Sequence, residues 1–258
     1  SLGGSCIMTL LQSGITKSLA ETYTIDQSLR FDGTSARLNK TFSSGGNEKT
    51  WTLSWWFKRC GNFGASSFMF NTGPDANSLQ IYFESANKFR ILVQTGGGVV
   101  CQLLTNQVFR DVSAWYHVCI VADTPQVTDS DRLKLFINGE QVTSFGTETY
   151  PAQNADLEIF TTQSSSGGHA IGNRSSDYYF DGYLAEFYAI DGTALTPASF
   201  GETDTTTNQW KPIDAVDDLT FGTNGFYQKY AATELATDIQ DSSGSSGVTI
   251  EVNGDTHT

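Results

Sequence analysis

The segment from residue 50 to residue 59 places large apolar and smaller or polar side chains on alternate positions. One set consists of Trp51, Leu53, Trp55 and Phe57, and the other consists of Thr52, Ser54, Trp56 and Lys58. Because successive side chains of an extended chain point to opposite faces, this period of two predicts a β-strand. The mostly polar second face predicts that the strand is buried on one side only.

Similar runs recur along the chain, separated by turn residues. Residues 115–121 are apolar on both faces, which predicts a central strand covered on both sides. Leu133–Ile137 ends at Asn138-Gly139, a pair typical of tight hairpins, and residues 141–145 are the predicted return strand. Further strands are predicted at 28–31, 68–70, 79–83, 89–94, 99–104, 170–171 and 178–190.

Helical signals are scarce. Thr196-Pro197 predicts one short turn, and residues 231–239 are the other helical candidate. About a dozen strands with almost no helix predict an all-β protein, an antiparallel two-sheet β-sandwich or jelly roll.

The chain divides by composition into three parts. Residues 1–26 are predicted to be an N-terminal arm or leading strand, residues 27–201 the sandwich, and residues 202–258 a C-terminal extension. The strand-like end of the extension, at residues 248–255, either begins a further module or pairs back on the sandwich. Aromatic residues in the extension must be buried against the sandwich or a neighbouring chain; they are Trp210, Phe221, Phe226, Tyr227 and Tyr230.

The net charge restricts the partners. The chain carries 28 acidic and 15 basic residues, a net charge of −13. Such a charge repels phosphate backbones and anionic membrane surfaces, so neither nucleic acid nor membrane is an expected partner. No apolar run approaches the roughly 20 residues that a membrane-spanning helix needs.

The four cysteines lack the spacing of a metal site. Cys60, Cys101 and Cys119 each lie in an apolar run, and Cys6 lies near the start of the chain. We expect buried, unpaired thiols and synthesis in a reducing compartment, with a Cys60–Cys119 disulfide as the alternative.

Residue patterns typical of catalysis are missing. Glycosidases of sandwich folds need paired carboxylates on one strand face, and the nearest string, Glu202-Thr-Asp204, lacks the last acid and is predicted to lie in a loop. His117 lies between aromatic residues in a strand and is predicted to be a packed core histidine. We therefore expect no enzymatic activity and no catalytic residues.

Five motifs occur in a fixed order along the chain. They are Ser28-Leu-Arg-Phe-Asp-Gly33, Trp51-Thr-Leu-Ser-Trp-Trp-Phe-Lys58, Trp115-Tyr-His-Val118, Arg132-Leu-Lys-Leu-Phe-Ile-Asn-Gly139 and Phe180-Asp-Gly-Tyr-Leu-Ala-Glu-Phe-Tyr-Ala-Ile-Asp-Gly192. Together they resemble the laminin-G-like, concanavalin-A-like jelly roll over residues 28–200.

A narrower resemblance rests on other stretches. Residues 10–20, residues 180–201, Trp210-Lys-Pro212 and Phe221-Gly-Thr-Asn-Gly-Phe-Tyr227 are similar to the laminin-G-like proteins of tailed bacteriophages. This resemblance implies a virion component: a fibre, an appendage or a capsid decoration.

Such a component is made in the host cytoplasm and displayed on the virion surface. Its expected partners are other virion proteins, further copies of itself and a cell-surface glycan. A purely structural connector without a ligand is the alternative function, and a polysaccharide-degrading enzyme is the remote one.

The loop at residues 173–179 is the predicted ligand contact. The residues are Asn173, Arg174, Asp177, Tyr178 and Tyr179. Tyrosine rings stack on sugar rings, while the amide, carboxylate and guanidinium groups bond to hydroxyls. The structural alternative is that the two tyrosines alternate into and out of a sheet. Trp56 is a second candidate contact.

Calcium is the cofactor that the family resemblance raises, because many relatives hold it with loop acids. Ala185 stands where relatives often have an acid, which argues against it. Asp32, Asp177 and Asp181 are the remaining candidate ligands, and their default role is to stabilise turns. No metal and no other cofactor is predicted.

Overall fold

The computed structural model describes residues 23–61, 63–73, 76–162, 168–174 and 178–230, together with the backbone of two later strands. These residues form short strands and single 3₁₀ turns, whose bounds follow in chain order. The strands are β1 Leu29–Asp32, β2 Arg37–Lys40, β3 Thr50–Arg59, β4 Ser67–Asn71, β5 Ser78–Phe83, β6 Lys88–Thr95, β7 Gly98–Val108, β8 Tyr116–Asp123, β9 Leu133–Ile137, β10 Glu140–Gln141, β11 Phe145–Thr149, β12 His169–Ile171, β13 Asn173–Arg174, β14 Tyr178–Tyr179, β15 Asp181–Asp191, β16 Gly201–Thr203, β17 Trp210–Pro212, β18 Phe226–Gln228, β19 Ile239–Gln240 and β20 Thr249–Asn253, and the 3₁₀ turns are Asp129–Asp131, Pro197–Ser199 and Val216–Asp218.

Two large antiparallel sheets contain most of the strands. The seven-stranded sheet has the order β1-β15-β3-β8-β9-β10, with β18 also paired to β15. The nine-stranded sheet has the order β11-β7-β6-β5-β4-β12-β2-β20-β19. This confirms the predicted all-β, two-sheet jelly roll. No helix among the described residues is both long and apolar enough to cross a membrane.

The main core fills the space between the two sheets. The apolar face of β3 points into it, as predicted, and Trp51, Leu53, Trp55 and Phe57 are fully buried. Each such side chain contributes about 1.5–3 kcal/mol by leaving water. Phe57 packs on Phe83 of the opposite sheet, with ring centroids 5.4 Å apart. The period of two therefore correctly predicted which face of β3 packs against the opposite sheet.

A second apolar layer covers the outer face of the seven-stranded sheet. The polar face of β3 was expected to meet solvent, and this prediction is wrong, because Ser54 and Trp56 are both buried. The segment after β15 returns across this face and packs on it. Buried members of the layer are Cys119, Val121, Tyr188, Ile190, Phe200, Ala215, Phe221 and Tyr227. Four of the five aromatic residues of the extension are thus buried within this chain, and Trp210 is half-buried; the buried four are Phe221, Phe226, Tyr227 and Tyr230.

The predicted hairpin at Asn138-Gly139 is confirmed. Both residues have positive φ, 49° and 82°, as a tight two-residue hairpin requires. The predicted return strand is wrong in extent, since only Glu140–Gln141 pairs with β9. The chain then crosses to the nine-stranded sheet, where Phe145–Thr149 pairs with β7.

Both ends of the chain extend past the predicted sandwich. Thr249–Asn253 pairs with β2, which agrees with the alternative that the C-terminal end folds back. The predicted turn at Thr196-Pro197 forms, although the Thr196 side chain makes no capping hydrogen bond. Residues 1–22 of the predicted arm (1–26) and residues 231–238 of the helical candidate (231–239) lie outside the described residues, and Ile239 lies in a strand.

The cysteines of the described residues are unpaired. Cys101 and Cys119 are buried, whereas Cys60 is only half-buried, so the expected Cys60 burial is wrong. Cys60 lies one residue beyond the end of β3, where the chain is less covered than within the strand. Burial raises the pKa of the Cys101 thiol to about 12, which keeps it protonated and unreactive. Cys6 lies outside the described residues.

Candidate functional site

The predicted contact residues lie on a short two-stranded ribbon beside the nine-stranded sheet. Gly172 follows β12 with φ +91°, and a Cβ there would lie 2.2 Å from the Phe31 ring, so this position between β12 and β13 requires glycine. In the ribbon, Asn173 pairs with Tyr179 and Arg174 pairs with Tyr178.

The ribbon brings four of the five predicted residues together. Tyr178 is exposed at 42%, whereas Asn173 is buried and cannot contact a ligand. Tyr179 is half-buried, and its carbonyl oxygen accepts a hydrogen bond from Ser67 Oγ at 3.4 Å. Asp177 lies outside the described residues. Tyr178 is the most exposed of these residues, and the guanidinium of half-buried Arg174 lies beside its ring, so we take Arg174 and Tyr178 as the candidate contacts.

Aromatic rings from the sheet support these two side chains. Phe68 and Tyr82 stack with centroids 4.3 Å apart and planes 5° apart. The Arg174 guanidinium carbon lies 5.2 Å from the Phe68 centroid and 5.5 Å from the Tyr178 centroid. We call the surface formed by Phe68, Tyr82, Arg174 and Tyr178 the aromatic platform. Its floor comes from β4 and β5, which the sequence analysis did not connect with residues 173–179.

A second arginine borders the aromatic platform. The Arg90 guanidinium carbon lies 5.9 Å from the Tyr82 centroid, and its amino groups donate to Glu84 and Gln102. The Glu84 carboxylate balances the Arg90 charge at this edge. Burial raises the pKa of Tyr82, so its phenol stays neutral.

Two of the three candidate calcium ligands, Asp32 and Asp181, are engaged within the fold, and the third, Asp177, lies outside the described residues. The Asp32 carboxylate accepts hydrogen bonds from the backbone of Thr34, Ser35 and Ala36. Burial acts to raise the pKa of Asp32, but these N–H groups outweigh it and hold the pKa well below its usual range. Asp181 pairs with Arg30 at 2.6 Å. Within the described residues, no three acid, histidine or cysteine side chains are grouped as a metal site requires.

Three tryptophans that lie far apart in the sequence line a groove on the other sheet. Two cavities, of about 470 Å³ and about 650 Å³, are both lined by Trp56 and Trp115. Trp210 lines the larger cavity, and Trp115 is exposed at 38%. We call the two cavities together the tryptophan groove. Trp56 was a predicted contact, whereas the sequence around Trp115 and Trp210 carries no mark of a ligand site beyond the residue type.

One wall of the tryptophan groove is the segment from Tyr23 to Ser28. The Tyr23 hydroxyl donates to the Glu186 carboxylate at 3.0 Å, and Tyr188 and Tyr227 donate to the same group at 2.7 and 2.6 Å. Glu186 is buried in a β-bulge of β15, with φ +51°. Burial, with the nearby Glu186 charge, raises the pKa of all three phenols. The buried Glu186 carboxylate thus links the segment that contains Tyr23, and strand β18 that contains Tyr227, to β15.

His117 lies beneath the tryptophan groove, and its predicted core role is confirmed. Its Nε2 shares a 2.8 Å hydrogen bond with Ser54 Oγ. Burial lowers the pKa of His117 to about 3, so the ring is neutral. Its ring packs on Trp56 and Trp210, with centroids 5.1 and 5.7 Å away.

Acidic side chains line two cavities at one rim of the sandwich, which we call the acidic groove. These cavities, of about 560 Å³ and about 630 Å³, both include Glu48 and Asp156. Burial, followed by the charges of Asp156 and Glu158, raises the pKa of Glu48 to about 7. By contrast, Glu202 and Asp204 both pair with Lys211, and Glu202 lies in β16 rather than in the predicted loop.

Comparison with known proteins identifies one family. Residues 32–200, more than half of the chain, match the laminin G-like family described as the concanavalin A-like lectin/glucanases superfamily. None of the curated proteins matches the chain in sequence.

Three solved structures are similar to the chain. A SAP-like pentraxin from Limulus polyphemus has 16% identity and a TM-score of 0.45, over 66% of this chain and 77% of the pentraxin. The Ruminococcus gnavus IT-sialidase CBM40 bound to α2,3-sialyllactose has 14% identity and a TM-score of 0.41, over 61% and 88%. Domains LG4-5 of the mouse laminin α1 chain have 9% identity and a TM-score of 0.46, over 75% and 46%.

Proposed function

Because the chain belongs to the concanavalin A-like lectin/glucanases superfamily, we propose that it is a binding domain rather than an enzyme, with a glycan as its ligand. In this proposal the domain is displayed on a bacteriophage virion and holds a glycan of the host surface. The proposed contact is the aromatic platform, where Arg174 and Tyr178 reach the surface.

The observation that carries the proposal is the exposed Tyr178 ring beside the Arg174 guanidinium, 5.5 Å from centroid to guanidinium carbon. An exposed aromatic ring presents a face on which the apolar side of a sugar ring packs. A guanidinium presents several N–H donors in one plane, which suits sugar hydroxyl and carboxylate oxygens. Stacked rings beneath them hold both groups in place before a ligand arrives.

The virion role draws support from the sequence. Residues 10–20 and 180–227 contain the stretches similar to tailed-phage proteins. The net charge of −13 favours solubility in a crowded assembly, and the unpaired cysteines agree with synthesis in a reducing host cytoplasm. Other virion proteins and further copies of the chain are the proposed partners.

A glycan array with the purified chain tests the glycan proposal. We expect Tyr178→Ala to lower binding at least tenfold, since it removes the stacking face. Arg174→Lys keeps the positive charge but loses the planar donor group, so we expect its glycan binding to lie between that of the wild type and that of Tyr178→Ala. Val127→Ala, at a side chain exposed at 83% in a distant loop, is the matched surface control. Binding by the wild type that Tyr178→Ala leaves unchanged would contradict the assignment.

A test on particles addresses the virion role. Virions that carry Tyr178→Ala should adsorb to host cells more slowly than virions with Val127→Ala. If virions that lack the protein adsorb normally, the attachment role is wrong. The structural alternative expects the aromatic extension to pack on other chains, yet Phe221 and Tyr227 are buried against this chain's own sheet. That burial favours the binding role.

Polysaccharide hydrolysis is the second candidate function, and Glu48 is the observation that favours it. A glutamate whose pKa is raised to about 7 is about half protonated at neutral pH and can serve as a general acid. A sugar-release assay on host polysaccharide, with Glu48→Gln as the variant, separates the two functions. Release by the wild type that this substitution abolishes would establish an enzyme; no release leaves the binding proposal in place.

A further inference from the structure

We propose that the tryptophan groove is a second ligand site, distinct from the aromatic platform, and that it binds a neutral oligosaccharide of two or more sugar units. The groove belongs to the seven-stranded sheet, through Trp56 of β3. The platform belongs to the nine-stranded sheet, through Phe68 and Tyr82. The two surfaces are therefore built from different sheets and can be tested separately.

The size of the groove suits a short chain of sugars. Its cavities of about 470 and 650 Å³ each fall within the range of roughly 300–1,000 Å³ typical of small-ligand sites. Trp56 and Trp115 contribute to both, so the two indoles lie at the junction. Each cavity is large enough for at least one sugar ring, and a linear oligosaccharide would pass over the junction from one cavity to the other.

Trp115 is the proposed stacking residue at this junction. Its indole is 38% exposed, and its ring centroid lies 6.3 Å from that of Tyr183. Leaving so large an apolar side chain in water forgoes much of the free energy that its burial would provide. A sugar that stacks on the indole recovers part of this free energy. Trp56, exposed at only 8%, forms the floor.

The polar lining favours hydroxyl groups over charged ones. Asn138, Asn208 and Gln209 line the larger cavity, and amide groups both donate and accept hydrogen bonds, as sugar hydroxyls do. The Asn138 Oδ1 already accepts a hydrogen bond from the His117 backbone N–H, which leaves its amide NH₂ as a donor. Further polar residues of the two cavities are Thr24, Asp26, Gln27, Ser28, Glu140, Thr203 and Lys211.

The charges of the lining disfavour an acidic sugar. The lysine in this lining, Lys211, lies 3.2 Å from Glu202 and 3.3 Å from Asp204, which balance its charge. Asp26 and Glu140 add negative charge, and so does the net charge of −13. A carboxylated or sulfated glycan would therefore be repelled, which leaves neutral oligosaccharides as the ligand class.

The walls of the groove are held before any ligand binds. Trp210 is wedged between two glycines, since a Cβ at Gly139 would lie 2.4 Å from its ring and a Cβ at Gly201 would lie 2.7 Å away. On the other side, the Tyr23 hydroxyl donates to buried Glu186 and fixes the segment that follows. A preformed site loses less conformational entropy when it binds.

Calorimetric titration of the full chain tests the inference. The probes are cellotetraose, maltotetraose and chitotetraose, which are neutral, and tetragalacturonic acid, which is acidic. We expect at least one neutral tetrasaccharide to bind and the acidic one not to bind. Trp115→Ala should weaken that binding at least tenfold, and Trp115→Phe should recover part of it. Because Trp115 is exposed, circular dichroism should show an unchanged fold.

Val127→Ala is the matched control, because it shortens an exposed apolar side chain that lines neither cavity of the groove and does not belong to the aromatic platform. We expect it to leave tetrasaccharide affinity within twofold of wild type. Unchanged binding by Trp115→Ala, binding of the acidic probe alone, or no binding of any neutral probe would overturn the proposal. The proposal would also be overturned if Trp115→Ala changed the oligomeric state in sedimentation without changing sugar affinity. In that case the groove would be a contact between copies of the chain. Failure of the aromatic platform would appear differently, as glycan-array binding insensitive to Tyr178→Ala.

Discussion

The outer faces of the two sheets are built differently. On the seven-stranded sheet, the chain's own residues after β15 form a second apolar layer that contains Phe200, Phe221 and Tyr227. On the nine-stranded sheet, the outer face carries a separate small cluster of Phe68, Tyr82 and Leu92. The first face stabilises the fold, and the second leaves Tyr178 exposed beside its cluster. Aromatic side chains such as Phe221 are thus covered by the chain itself over the seven-stranded sheet, whereas Tyr178, beside the nine-stranded sheet, stays exposed.

The largest expected effect is at Phe200, in the layer over the seven-stranded sheet. Its ring is buried, with its centroid 5.2 Å from that of Tyr188. Phe200→Ala should lower the free energy of unfolding by about 3–5 kcal/mol, because it leaves a cavity in a packed layer. Denaturant unfolding measures it, with Val127→Ala as a surface control expected to change by less than about 0.5 kcal/mol. A loss below about 1 kcal/mol would mean that the layer is loosely packed.

The buried carboxylate beneath that layer comes next. Glu186→Gln replaces a charged acceptor of three phenol hydroxyls with a neutral amide. We expect a loss of about 1–3 kcal/mol in the free energy of unfolding, as for other weakened buried hydrogen bonds. The exposed Glu148→Gln, made in the same background, should have no measurable effect. Equal stability of the two variants would show that the phenols find other acceptors.

Gly139 tests the wall of the tryptophan groove. Gly139→Ala combines a φ of +82° with a Cβ placed 2.4 Å from the Trp210 ring. Gly97 has φ +80° with no atom within 4 Å of the position that a Cβ would take, so Gly97→Ala carries the backbone strain alone. We expect Gly139→Ala to cost about 1–3 kcal/mol more than Gly97→Ala, through overpacking. Equal melting temperatures would show that Trp210 moves aside freely.

The smallest expected effect is at Tyr178. Tyr178→Ala should change the free energy of unfolding by less than about 0.5 kcal/mol, because the side chain is exposed and lies outside both large apolar clusters. Thermal unfolding of Tyr178→Ala and Phe200→Ala, measured side by side, compares the two outer faces most directly. A loss as large as that of Phe200→Ala would make Tyr178 a structural residue and remove the basis of the aromatic platform.

The candidate site was accessible from the sequence only in part. Residues 173–179 were predicted as the contact because their side chains are neighbours along the chain, and Arg174 and Tyr178 do lie together. Phe68 and Tyr82, which form the floor, precede them by about 90–110 residues. Strand periodicity assigns a residue to a face but does not say which strand lies next to which, so this floor could not be predicted.

Strand periodicity predicted the all-β architecture and the inner face of β3, because alternation is a local property that every strand carries in its own residues. The apolar residues on both faces of β8 likewise predicted that this strand is covered on both sides, but nothing in the pattern of β3 indicated that its outer face is covered too. Ser54 and Trp56 are buried because a segment more than 140 residues later returns over them. The tryptophan groove likewise exists only where Trp56, Trp115 and Trp210 meet in the folded chain, since burial and cavities are properties of packing between distant segments.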